Sequence, residues 1–241
     1  MPCLQGSYDL AQRLSREARV VAEVAGEGAL VADAAYLHGL VLLRGKPLTA
    51  LHEADRVLSA SIAGSASGAR CRLLRVFGLT GSGFLDQART EAEALRAESV
   101  AVGEYWARSY ADYQLAVIAL YEERAADAAG HARSMLRGKQ AIGDSFGLAL
   151  GLELLAVAFA DQGRGGLSAC AYGLGHRFWQ MVGHPHRGTP ESARSRRARP
   201  CAGDCRGNRR PGIPETPHGR LHGSHMVRWS SWREEGRVID G

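Results

Sequence analysis

Lysine is nearly absent from this 241-residue chain: of 30 basic side chains, only Lys46 and Lys139 are lysines. A phosphate-cradling loop of the G-x-x-x-x-G-K-[ST] type needs a lysine to reach the phosphates. The glycine-rich stretches Gly64–Arg70 and Gly78–Phe84 both lack it. Long apolar runs are missing too. Nothing approaches the ~20 consecutive apolar residues of a membrane span, so no membrane partner is expected. Near the start, Asp9, Arg13, Arg16 and Glu17 interrupt any apolar core that a secretory leader would need. The five cysteines (Cys3, Cys71, Cys170, Cys201, Cys205) are scattered and odd in number. That argues against a disulfide framework and suits a reducing compartment, with the cytoplasm as the expected location. Alternating apolar and polar positions, the mark of a half-buried strand, are not found.

Helical patterns fill the space these absences leave. The spacing predicts helices over 7–25, 29–44, 48–63, 69–80, 84–102, 104–122, 124–142, 144–162 and 167–182. Most of the boundaries carry a glycine, and Gly143-Asp144 ends one helix and caps the next. Gly64-Ser-Ala-Ser-Gly68 reads as a flexible turn. In the helix after Gly143-Asp144, Leu148, Leu152, Leu155 and Phe159 share one face, and Leu150, Leu154 and Val157 share another. A helix apolar on two sides needs neighbours on both, as the inner helix of a stacked array has.

The turns repeat. Ala50, Ala88 and Ala128 stand at equivalent places, 38 and 40 residues apart, near the start of the second helix of successive pairs. Small side chains there let helices approach closely. A period near 40 with two helices per unit predicts an all-α solenoid of antiparallel helix pairs, tetratricopeptide-like but longer than that class's usual repeat of about 34 residues. The expected domain is residues 1–183, followed by a tail over 184–241.

One stretch carries a family likeness. Gly143, Asp144, Gly147, Ala149, Leu150, Leu152, Glu153, Leu155, Ala156 and Gly163 precede a helix with Trp179 and then Gly183 and Pro185. This resembles the C-terminal tetratricopeptide-like region of large actinobacterial LuxR-type, ATP-binding transcriptional regulators. The resemblance implies a helical-repeat arm that binds a protein or peptide partner, with the ATPase and DNA-binding modules of a regulator among the candidates. Those regulators carry a P-loop and a helix-turn-helix; neither pattern occurs in this sequence, and the likeness stops after Glu191.

The net charge of +5 belongs to the end of the chain. Residues 1–182 hold 18 basic against 19 acidic side chains, whereas 183–241 hold 12 arginines against 6 acids. Six of the eight prolines and five of the nine histidines also lie after residue 183. That composition reads as a disordered basic tail, or as GC-rich DNA translated out of frame. The alternative function it offers is nucleic-acid binding, with Trp179, Trp229 and Trp232 to stack on bases. Cys201-x3-Cys205-x12-His218-x3-His222 has the spacing of a zinc finger. Yet Pro211, Pro214 and Pro217 would break the helix that must hold the histidines, so no metal site is assigned.

Elsewhere, Gly143-x-Ser145-x-Gly147 matches a nucleophile-elbow pattern without the strand that an elbow requires. No catalytic residue, metal or cofactor is assigned, and the chain reads as non-enzymatic. The candidate ligand or peptide groove is the stripe Trp106, Tyr110, Tyr113 and Val117, with Arg108 and Asp112 alongside as a solvated i, i+4 pair. Arg70, Arg72 and Arg75, close together on one helix, read as an anion site or a solvated face.

Overall fold

A computed structural model of the chain describes residues 8–58 and 65–182. The tail from residue 184, with its arginines, Trp229, Trp232 and the Cys201–His222 spacing, lies outside the described residues, as does most of the expected end of the third helix. The described residues form nine helices and no strand: α1 (Tyr8–Ala25), α2 (Gly28–Leu42), α3 (Pro47–Leu58), α4 (Ala66–Gly81), α5 (Leu85–Ala101), α6 (Tyr105–Tyr121), α7 (Ala125–Ala141), α8 (Ser145–Asp161) and α9 (Gly165–Met181). None is long and apolar enough to cross a membrane.

The helices pack as an all-α repeat solenoid. First helices α2, α4, α6 and α8 stack in a row, and each second helix (α3, α5, α7) lies between the first helix of its own pair and that of the next. The row explains why α8 is apolar on two faces: Leu150, Leu154, Leu155, Val157 and Phe159 are all buried, on both sides of the helix. Ala50, Ala88 and Ala128 are buried at 0%, 0% and 1% exposure, so the repeated small positions are points of close helix contact.

One boundary differs from expectation. The stretch 64–68 is not all turn, because α4 already begins at Ala66. Ser65 adopts an extended backbone and its side chain accepts a hydrogen bond from the Gly68 N–H at 3.0 Å, capping the new helix.

The turns share one backbone device. Gly83, Gly103, Gly143 and Gly163 all have φ between 67° and 85°. Glu123 occupies the same place between α6 and α7, forty residues from Gly83 and from Gly163, with φ 59°. A side chain in this left-handed region costs about 1–2 kcal/mol relative to glycine. Glu123→Gly is therefore expected to stabilise the fold by about 1 kcal/mol, raising Tm by about 2–4 °C. A scanning-calorimetry trace without a gain would contradict this.

Candidate functional site

The aromatic stripe of α6 sits at the middle of the row of first helices. Trp106 packs edge-on to Tyr36 of α2 (centroids 6.2 Å apart) and to Tyr110 (4.9 Å). Tyr113 meets Phe77 of α4 at 6.1 Å. Tyr110 and Tyr113 also pack on the cluster of Met135, Leu150 and Trp179, where Phe146 stands edge-on to Trp179 at 5.3 Å. A seam of rings thus runs from α2 to α9. Trp106, Tyr110 and Tyr113 are each half-buried, and Val117 is buried. Burial pushes the Tyr110 hydroxyl far above its ordinary pKa, with Asp144 and Tyr36 adding to the effect, so it stays protonated.

Beneath this seam lies a charge that periodicity alone did not reveal. Lys139, near the end of α7, has no exposed surface. Its ammonium lies 2.9 Å from the Asp144 carboxylate, 3.5 Å from the Tyr110 ring centroid and 5.7 Å from that of Trp106. Burial lowers the Lys139 pKa, against the opposing pull of Asp144 and Glu104. Asp144 has a second task, accepting from the Gly147 N–H at 2.8 Å as the cap of α8. The Gly-x-Ser-x-Gly stretch is thereby accounted for. Gly143 supplies the positive-φ turn, and Ser145 opens a helix that follows another helix. Gly147 gives the lysine stem room: a Cβ there would stand 2.5 Å from Lys139 Cδ.

The pair Arg108–Asp112 is not formed as the sequence suggests. Asp112 is fully buried rather than solvated, and its partners come from other helices. Arg96 Nε of α5 donates to one carboxylate oxygen at 2.7 Å, and Ser134 Oγ of α7 donates to the other at 2.6 Å. His131 Nδ1 lies 3.7 Å away. Burial alone would raise the Asp112 pKa, but the nearby His131, the hydrogen bonds from Ser134 and Arg96 and the Arg96 charge outweigh it and hold the carboxyl below its usual range. Arg108 remains half-exposed beside the aromatic stripe.

Arg70, Arg72 and Arg75 are neither an anion site nor a solvated face. Arg70 makes a two-pronged bond to Asp33 of α2, both contacts at 2.9 Å. Arg72 holds Glu91 (2.8 Å) and Glu98 of α5. Arg75 joins Asp55 of α3 (2.8 Å) to Glu91 (3.3 Å). Arginine's rigid fork suits such ties, and each one bridges α4 to a neighbouring helix.

Reactive groups are placed conservatively. Cys71 is buried, its Sγ 3.4 Å from the Ala32 carbonyl, and burial pushes its thiol up to about 11, which keeps it un-ionised at neutral pH. His38 is buried against Ser15 Oγ at 3.1 Å, and burial lowers its pKa. Among the described residues no cluster of three or more His, Cys, Asp or Glu is placed to hold a metal ion. No model of a known protein family matches the chain, and no curated protein matches it either.

Proposed function

We propose that the chain is a non-enzymatic, tetratricopeptide-like interaction or effector-sensing arm of a transcriptional regulator, binding a protein or peptide partner along its first helices. The observation that supports this reading is the half-buried stripe of Trp106, Tyr110 and Tyr113 in the row α2–α4–α6–α8, with Arg108 half-exposed at its side. Rings held rigid by their neighbours offer large contact area at little entropic cost, and Trp, Tyr and Arg are the residue types that most often dominate binding energy. The ATPase and DNA-binding modules of the regulators that the sequence resembles are one class of candidate partner.

The test is selection of peptides from a random display library on the folded chain, followed by fluorescence titration. Selected peptides are expected to carry aromatic or aliphatic anchors beside an acidic residue. Tyr113→Ala should weaken them about tenfold, or ~1.4 kcal/mol, with Arg108→Ala weakening them less and leaving the fold untouched. Failure to select any binder, or binders indifferent to both substitutions, would remove the assignment.

A further inference from the structure

Helix α1 turns its bulky side outward. It packs on α2 and buries Ala11, Ser15 and Ala22, while Leu10, Leu14, Val20, Val21 and Val24 are exposed, Val21 at 68% and Val24 at 85%. Leu10, Leu14, Glu17, Val21 and Val24 follow a 4-3-4-3 spacing, the seam of a helix prepared for another helix. At the opposite end of the array, α9 exposes Leu167 (41%), Leu174 (50%) and Met181 (71%), each one heptad from the next.

The α9 stripe is specific to that helix. Forty residues earlier, α7 has Asp127, Ser134 and Ala141 at the same register, and α5 has Gln87, Ala94 and Ala101. Two glycines lie beside the stripe, Gly166 and Gly173, and a Cβ added at either would meet nothing within 4 Å. Each costs the helix about 1 kcal/mol relative to alanine with no internal contact in return, whereas a closely packed outside helix would make use of the space. An outer helix face left in solution is polar in repeat arrays; among the described residues, the outward faces of α1 and α9 are apolar.

We propose that the two ends dock on each other between copies of this chain, the α9 face of one copy on the α1 face of the next. The charges match this pairing. Exposed Glu17 lies between Leu14 and Val21 on one surface, and exposed Arg177 lies between Leu174 and Met181 on the other. Opposite charges set among apolar contacts fix partner and register. Because the two surfaces differ, the contact is heterologous: copies add head to tail, and the assembly grows beyond a dimer unless its rotation closes a ring.

Sedimentation velocity on the full chain over a wide concentration range tests this. The mean mass is expected to rise past that of a dimer as concentration increases. Val21→Glu and Leu174→Glu change exposed side chains, so circular dichroism should show both variants folded. Each alone should be monomeric, and an equimolar mixture should give a one-to-one dimer, because each variant keeps the end that the other has lost. Arg177→Glu and Glu17→Arg should each weaken assembly at least tenfold, and their combination in one chain should restore it. A monomer at every concentration overturns the proposal. So does a dimer that survives Val21→Glu but not Leu174→Glu, since it would be an α9–α9 contact.

Discussion

Replacing Asp144 by alanine is expected to destabilise the protein by about 4 kcal/mol at neutral pH, combining a lost helix cap (~1 kcal/mol) with the cost of leaving a buried ammonium unpaired (about 3 kcal/mol). Lys139 has no access to water through which to recover the loss. The Tyr110 face, 3.5 Å away, offsets part of it, but a ring quadrupole is a weaker partner than a carboxylate. The loss should depend on pH in a defined direction. The Lys139 pKa is lowered in the folded state, so its contribution grows as pH rises from the folded value toward the unfolded value of about 10.4. Removing Asp144 lowers the folded value further and widens that window. Urea unfolding should therefore show the Asp144→Ala deficit shrinking by a third or more between about pH 7 and pH 9.5. Lys139→Met, of similar volume, should be neutral or stabilising, and the Lys139→Met/Asp144→Ala double variant should lose only the cap, about 1 kcal/mol. If the double variant loses as much as Asp144→Ala alone, the lysine is not held by this pair.

The architecture was legible in the sequence because its signals are local. Glycines at Gly83, Gly103, Gly143 and Gly163 mark positive-φ turns that a side chain resists. The two-faced α8 announces neighbours on both sides, and the repeated alanines announce close contacts. The charged interior was less legible, since which carboxylate meets which cation is decided by helices far apart in the chain. Arg108 and Asp112 have the spacing of a surface pair, but that spacing says nothing of Ser134, 22 residues on, or Arg96 on the preceding helix. Lys139 did leave a trace. Ser99 and Trp179 stand forty residues to either side of it, at the same turn of α5 and α9, and both are buried (5% and 4%). The repeat therefore points position 139 inward, and a lysine there requires a partner. Trp179 fills its own version of the place by donating from Nε1 to Glu153 at 2.9 Å and packing on Phe146, the counterpart of Trp106. One slot in the repeat thus carries a small hydroxyl, a caged cation and an indole in three successive units. The buried charge belongs to this unit of the array and is not a requirement of the fold.

Asp112 gives the complementary case, a buried anion. Arg96→Ala leaves this carboxylate, which has no exposed surface, with Ser134 and the more distant His131. The Arg96 side chain is itself 37% exposed, so solvent already screens part of the pair, and the expected loss at pH 7 is about 2–3 kcal/mol, below the usual range for a fully buried one. In the parent protein the folded Asp112 pKa is lowered; its stabilisation is present above the unfolded value of about 3.9 and disappears as pH falls through the folded value. Without Arg96, two of the influences that oppose desolvation are gone, His131 and Ser134 remain, and the folded Asp112 pKa rises from its parent value. The Arg96→Ala deficit should therefore shrink as pH is lowered toward that raised value. Adding Asp112→Asn removes the charge while keeping a group that Ser134 Oγ can reach. The Arg96→Ala/Asp112→Asn variant is thus expected to recover about half of the loss at pH 7 and to lack the acid-side change. Chemical denaturation of the four proteins at pH 5 and pH 7 closes the cycle. If Arg96→Ala loses the same stability at both pH values, Asp112 is not the charge that Arg96 neutralises, and the tie between α5, α6 and α7 rests on packing alone.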